Sequence, residues 1–420
     1  MDKFIIEGGK RLAGTVRISG AKNASLALIP ATLLAPGVYN LSNTPNIRDI
    51  WTITRLLGAM GVHSELNDEE LFIDTSGVNS YEAPYEHVKK MRASINVLGP
   101  LLARYGQAKV SLPGGCAFGP RPVDLHLKGL EKLGAEISIE NGYIIAKAPQ
   151  LKGARIHFDI SSVGATENVL TAAVLAQGTT VMSNAAMEPE VTALARMLVK
   201  MGAKINGIGT TTLEIEGVKE LKPVDFENIS DRIEAATFLI AGAMTQGRVL
   251  LENVNPYHLT AVIAKLEEAG ATIDVTGHSI LLEMQGPPSP VDITTTPYPG
   301  FPTDAQAQWI ALMMCATGTS RITDTIYHTR FHHVPELIRL GASIEMAENS
   351  AIVFGGKPLT GATVMSSDLR ASASLVLAAL VAQGRSEVLR VYHIDRGYQH
   401  IEKKFQQLGA SIQRMATEEF

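Results

Sequence analysis

The chain has 420 residues, 45% hydrophobic and 19% charged, with a formal net charge of −5, so it can bury a large core and is expected to form more than one domain. The acidic balance argues against a general nucleic-acid binder and makes any anion site a local cluster of bases, while charges and prolines interrupt the sequence too often for membrane spans. Two cysteines, and an N-terminus MDKFIIEGGKRL without the apolar core of a secretory leader, point to a reducing cytoplasm.

Two glycine series run through the sequence in step, each recurring about every 70 residues. The first comprises Gly61, Gly134, Gly202, Gly270, Gly341 and Gly409, in runs such as KLGAEISI and RLGASIEM. The second comprises Gly37, Gly106, Gly178, Gly247, Gly318 and Gly384, in runs such as AQGTTVMS and TQGRVLLEN. Together they predict six copies of one unit: a helix, a glycine, a strand, a second helix, another glycine and a strand pair. The glycine after each helix suits a left-handed C-cap. The first helix is apolar nearly all round in every copy, as in ATENVLTAAVLAQ and RIEAATFLIAGAMTQ, and belongs inside a core. The second is amphipathic, as in TAVIAKLEEAG, and belongs outside.

Six such units exceed one compact domain, so two lobes of three are expected. A break at 220–227 separates the third unit from the fourth, which puts one lobe at 22–229. The last unit lacks a final strand after SIQR, and the N-terminal strand can complete it, so the second lobe joins 1–21 to 230–420.

Between the second and third glycines of the second series lies the stretch SLPGGCAFGPRPVDLH, from Ser111 to His126. Its glycines and prolines exclude both helix and strand. Cys116 sits at its tip, with Arg121 and His126 close enough in sequence to favour a thiolate, and an exposed free thiol is normally avoided without a use. Cys315, within WIALMMCAT, reads as inert core packing.

Aligning the copies places Lys22, Arg92, Ser162, Arg232, Asp304 and Arg370 at the starts of the inner helices. Arg48, Arg121, Glu188, His258, Arg330 and Arg396 fall near the starts of the outer ones. Helix N-termini favour phosphate or carboxylate, and a lysine there is of no use to the helix, so these rims point to an anion. No Walker or GxGxxG sequence follows a strand, and GGKPLTG reads as a turn. Asp304, in FPTDAQAQ, is either an N-cap or a positioned general base. His328, His332 and His333 have no carboxylate or cysteine at metal-ligand spacing. His126 and His393 take no assignment.

The sequence resembles the UDP-N-acetylglucosamine 1-carboxyvinyltransferase family of enolpyruvyl transferases along its whole length. The motifs are ISGAKNA (18–24), MRASI (91–95), LPGGCAFGPRPVDLH (112–126), SVGAT (162–166), SDRIE (230–234), FPTDAQAQ (301–308), DLRASASLV (368–376) and YHIDRGY (392–398). The resemblance implies an α/β protein, a two-lobed inside-out α/β barrel with three repeats per lobe and the active site between lobes. It implies transfer of the enolpyruvyl group of phosphoenolpyruvate to the 3′-hydroxyl of UDP-N-acetylglucosamine with release of phosphate, in peptidoglycan precursor synthesis. No metal or organic cofactor is implied.

By the same resemblance Lys22, Arg121 and Arg396 would hold phosphoenolpyruvate, with Asn23 close by, and Arg92, Arg330 and Arg370 would add to the basic cleft. Cys116 would act in proton transfer or phosphate expulsion, and Asp304 would take the proton of the sugar hydroxyl. Ser162, Val163 and Gly164, with Arg121, Pro122, Val123, Asp124 and Leu125 and with Ile326, would line the nucleotide-sugar site. Two positions depart from some members of the family: Asn96 stands where they carry tryptophan and Ile160 where they carry lysine.

Overall fold

A computed structural model describes residues 2–89, 91–112 and 123–417. The chain divides into two compact units, 1–19 with 230–420 (unit 1) and 20–229 (unit 2). Cys116, Arg121 and Pro122 lie outside the described residues.

In chain order the helices of unit 2 are α1 (Lys22–Ala31), α2 (Arg48–Gly58), the short α3 (Tyr85–Val88), α4 (Leu98–Tyr105), α5 (Asp124–Lys132), α6 (Val163–Ala173) and α7 (Pro189–Lys200). Those of unit 1 are α8 (Arg232–Met244), α9 (Thr260–Glu268), α10 (Gln306–Met314), α11 (Val334–Arg339), α12 (Leu369–Val381) and α13 (Ile401–Gln407). Among the described residues the strands form six four-stranded sheets. All share one plan. A short strand runs parallel to the strand after the inner helix, which pairs antiparallel with one arm of a hairpin whose other arm lies at the edge.

The chain termini and the linkers fill gaps in this plan. Asp2–Glu7 pairs antiparallel with both Arg385–Leu389 and Ser411–Ala416, so it occupies the hairpin position that the last repeat leaves vacant. Ala13–Arg17 supplies the parallel strand beside Arg248–Glu252, and Phe226–Glu227 does the same for Val38–Ser42.

Each unit has its own apolar core built on its inner helices. In α8 every residue from Ile233 to Met244 is buried, and in α10 every residue is, so these helices pack on one another and on the sheets around them. The outer α9 buries only Val262 and Leu266. No helix among the described residues is long and apolar enough to cross a membrane.

The first glycine series is a backbone requirement: all six residues have φ between +90° and +112°. The second series is mixed. Gly247 does not need a positive φ, but a Cβ there would stand 2.1 Å from the Leu12 carbonyl oxygen.

Helix starts differ from the sequence expectation at several places, Asp304 among them, which lies in a 3₁₀ turn ahead of α10. Pro100 has no N–H to give the Asn96 carbonyl, and the run from Arg92 divides into a 3₁₀ segment, Arg92–Val97, and α4. Arg330 and Arg396, expected near outer-helix starts, precede α11 and α13, which begin at Val334 and Ile401. Pro335 sets the start of α11 at Val334, and His400, in the left-handed region at φ 47°, separates the 3₁₀ turn ending at Arg396 from α13.

Candidate active site

In unit 1 the turn before α10, the start of α12 and the loop before α11 bring Asp304, Arg370 and Arg330 together. Asp304 lies in a 3₁₀ turn, Thr303–Ala305, and its carboxylate caps neither that turn nor α10. It is held instead by two guanidiniums: Arg330 Nη1 is 2.8 Å from Oδ1 and Arg370 Nη2 is 3.1 Å from Oδ2. Both arginines are almost fully buried, while Asp304 is 26% exposed, so the carboxylate is the accessible part of the cluster. Burial pulls the Arg370 guanidinium down, but Asp304 beside it, then Tyr398, push it up on balance.

A second set of groups orients this cluster. Arg370 Nη1 donates to Tyr398 Oη at 3.2 Å, and that hydroxyl is 2.8 Å from Thr237 Oγ1. Gln308 Nε2 donates to the Asp304 carbonyl at 3.0 Å and reaches Thr237 Oγ1 at 3.2 Å. On the other side Arg330 Nη1 donates to Thr303 Oγ1, which donates to Asp324 Oδ2. Asp324 Oδ1 in turn accepts the backbone N–H of Ile326 and Tyr327, which fixes the loop carrying Ile326. Thr303, Asp324, Gln308 and Tyr398 were not among the residues expected at the site. A glutamine inside an otherwise apolar helix was the available signal for Gln308.

In unit 2 the expected residues gather on the starts of α1, the 3₁₀ segment at Arg92, α5 and α6. Lys22 begins α1, which has no acidic residue in its first turn and no side-chain cap. Its Nζ lies 3.2 Å from Asp49 Oδ2, a carboxylate only 2% exposed on α2. This partner was not anticipated. Asn23 follows, half-buried. Val123 is the N-cap of α5, Asp124 its first residue, and Leu125 packs partly against the core.

Ser162 caps α6 by accepting the N–H of Ala165 at 3.3 Å, and Val163 and Gly164 form the first turn. Arg92 lies close enough to His126 for its charge to lower the imidazole's pKa. Arg396, half-buried, closes the 3₁₀ turn Val391–Arg396 of unit 1. Of the two departures, Asn96 is buried and donates to Glu167 Oε2 at 2.9 Å, whereas Ile160 is 72% exposed and brings no charge.

Among the described residues no three His, Cys, Asp or Glu side chains form a group suited to a metal ion. Burial pushes the Cys315 thiol up to about 12, so it stays protonated and unreactive.

A family model described as EPSP synthase (3-phosphoshikimate 1-carboxyvinyltransferase) matches residues 6–405. The chain is 59% identical to the UDP-N-acetylglucosamine 1-carboxyvinyltransferase of Chlorobium chlorochromatii (strain CaD3), with both chains covered in full. It is 57% identical to the protein of that name from Chloroherpeton thalassium (strain ATCC 35110 / GB-78), over the whole chain and 99% of the relative. Among solved structures it is similar to the enolpyruvyl transferase NikO from Streptomyces tendae, with a TM-score of 0.89 at 26% identity over 98% of each chain. It is also similar to an EPSP synthase from Acinetobacter baumannii, with a TM-score of 0.75 at 20% identity over 99% of this chain and 100% of that one. At that identity the last likeness speaks for the fold alone.

Proposed function

Because the chain belongs to the enolpyruvyl (1-carboxyvinyl) transferase family, we propose that it transfers the enolpyruvyl group of phosphoenolpyruvate to the 3′-hydroxyl of UDP-N-acetylglucosamine with release of phosphate. The observation that carries this reading is the full-length match, at 57–59% identity, to relatives bearing that name. The shikimate-phosphate reading rests on the family model's description, because the solved EPSP synthase, at 20% identity, speaks for the fold alone. The reaction belongs to peptidoglycan precursor synthesis and takes place in the cytoplasm.

The chemistry asks for an acid, a base and a cluster of cations. Protonation of C3 of phosphoenolpyruvate turns its methylene into a methyl group and makes C2 electrophilic. The sugar oxygen bonds to C2 as its proton leaves to a base, giving a ketal that carries both the sugar and the phosphate. Loss of a C3 proton then restores the double bond and breaks the C2–O bond to phosphate. Asp304 is suited to accept the hydroxyl proton, since Arg330 and Arg370 fix its oxygens and leave it accessible. Lys22, Arg121 and Arg396, with Asn23, hold the phosphate and carboxylate of phosphoenolpyruvate. Arg92, Arg330 and Arg370 add positive charge where the substrates carry negative charge. Ser162, Val163, Gly164, the stretch from Arg121 to Leu125, and Ile326 receive the nucleotide sugar. Cys116 is the acid that serves C3 or the departing phosphate.

The test is phosphate release from phosphoenolpyruvate by the purified chain. Release that requires UDP-N-acetylglucosamine supports the reading, and release driven by shikimate 3-phosphate instead overturns it. For Cys116→Asp, retained turnover with an optimum moved to lower pH supports proton donation, while loss of turnover at every pH removes that role.

A further inference from the structure

The strand Ser411–Ala416 carries a charge where its pattern calls for an apolar side chain. Gln413 and Met415 are exposed, Ile412 is buried and Arg414 is half-buried, so Ile412 and Arg414 share the inward side. Phe4 lies directly opposite Arg414 in the pairing with Asp2–Glu7, and the guanidinium sits 5.1 Å from the centre of its ring.

A guanidinium turned inward has to be paired, and this one meets three carboxylates from three elements. Nη1 donates to Asp2 Oδ2 on the N-terminal strand and to Asp395 Oδ2, each at 3.1 Å. Nη2 donates to Asp395 Oδ1, so both nitrogens of the fork grip one carboxylate. Nε is 3.3 Å from Oε1 of Glu402, buried on α13. Three carboxylates around one guanidinium are more than charge balance asks. Asp2 and Glu402 already pair the strand's arginine with its neighbours, and Asp395 is the one that brings in another segment.

That segment is the 3₁₀ turn Val391–Arg396, in which Asp395 stands immediately before Arg396. The far side of Arg396 is held too. A Cβ on Gly397 would stand 2.6 Å from Leu369 Cδ2, and the hydroxyl of Tyr398 bonds Thr237 and Arg370. Arg396 therefore lies between two anchors, an ion pair ahead of it and a buried phenol behind it.

We propose that Arg414 is a positioning residue for Arg396: by gripping Asp395 it fixes the turn from which the Arg396 guanidinium reaches phosphoenolpyruvate. This rests on the function proposed above and adds to it a residue from the last strand of the chain.

The experiment compares the unsubstituted full chain with Asp395→Ala, which releases the turn and leaves Arg414 its bonds to Asp2 and Glu402. A loosened Arg396 predicts a KM for phosphoenolpyruvate raised about tenfold, with the KM for UDP-N-acetylglucosamine within about twofold of its original value. Arg414→Lys keeps the charge but loses the fork, and must show the same split. Because the effect passes through Arg396, adding Asp395→Ala to Arg396→Gln must bring no further rise. An unchanged KM for phosphoenolpyruvate, an equal rise in both KM values, or a rise that multiplies with that of Arg396→Gln overturns the proposal. If Asp395→Ala does not fold, Arg414→Lys decides by itself. Should the unsubstituted chain use phosphoenolpyruvate only with another acceptor, the function proposed above fails, and the KM for phosphoenolpyruvate with that acceptor still reports on the clamp. Should no acceptor support turnover, amide hydrogen exchange decides: residues 391–396 must exchange faster in the variant, and unchanged exchange overturns the clamp.

Discussion

The two units use the same repeat but treat the starts of their inner helices in opposite ways. In unit 1, α8 and α12 are capped by their own aspartates, Asp231 and Asp368, each accepting two backbone N–H groups. The third start holds a carboxylate, Asp304, between two buried guanidiniums. Donors and acceptors there are largely matched within the unit. In unit 2, neither α1 nor α6 has an acidic residue in its first turn, and α1 has no side-chain cap. Lys22 and Arg92 stand at the same level of the repeat. Unit 1 therefore presents an oriented acceptor, which suits proton removal, and unit 2 presents cations at helix starts, which suit anion binding.

Substitution at Asp304 should test the contrast hardest. Asp304→Ala leaves Arg330 and Arg370 without their shared partner, at a cost of about 3 kcal/mol, the low end of the range for buried pairs because Asp304 is itself 26% exposed. Phosphate release should fall by at least about a hundredfold, the contribution typical of a positioned base. Denaturant midpoints and the release assay read the two effects separately.

Removing a donor from unit 2 should act on binding more than on folding. Lys22→Met is expected to lower kcat/KM for phosphoenolpyruvate roughly ten- to hundredfold, the worth of a charge-assisted hydrogen bond. A saturation series in phosphoenolpyruvate checks it, and an unchanged value would remove Lys22 from the anion site.

Tyr398→Phe should have a smaller effect. It deletes a hydroxyl that accepts from Arg370 and bonds Thr237, at about 1 kcal/mol of stability, with a several-fold loss of turnover as the guanidinium loosens.

Glu167 gives the mildest test, in the pH dependence of unit 2. Burial raises its carboxyl to about 8, with Asn96 pulling down and Glu190 and Glu188 pushing up. A group that holds its proton more tightly when folded adds stability at low pH, and that contribution is lost as pH climbs from the ordinary carboxyl value toward about 8. His126 and His333, both pushed down to about 4 by burial, act in the opposite direction, but only below the ordinary histidine value. Melting temperatures between about pH 6.5 and pH 8 should therefore fall with rising pH in the unsubstituted protein and stay flatter in Glu167→Gln.

Much of the fold was legible because the repeat writes its backbone needs into the sequence. Six glycines that must adopt positive φ cannot be replaced cheaply, and inner helices that are apolar all round cannot lie at a surface. Individual helix starts were less legible, because a proline in the first turn, or a left-handed histidine, moves a boundary without disturbing the repeat. Within the site, Lys22, Asp304 and Arg370 announced themselves as charges at helix starts. Their partners did not. Asp49 sits in an amphipathic helix where an acidic residue reads as solvated, and only the packing of α2 shows it buried against Lys22. Glu167 and Asn168 were visible as a polar pair inside an apolar helix, but which loop or helix they serve depends on contacts some 70 positions away in the chain, with Asn96 and Gly99.

Addition followed by elimination is the claim on which the roles of acid, base and cations all depend, and a single turnover experiment in deuterium oxide addresses it. If C3 becomes a methyl group before phosphate leaves, the enolpyruvyl product must carry deuterium in its vinyl CH₂, seen by mass spectrometry alongside one phosphate released per product. A vinyl group that forms with no deuterium, at full turnover, would contradict the account.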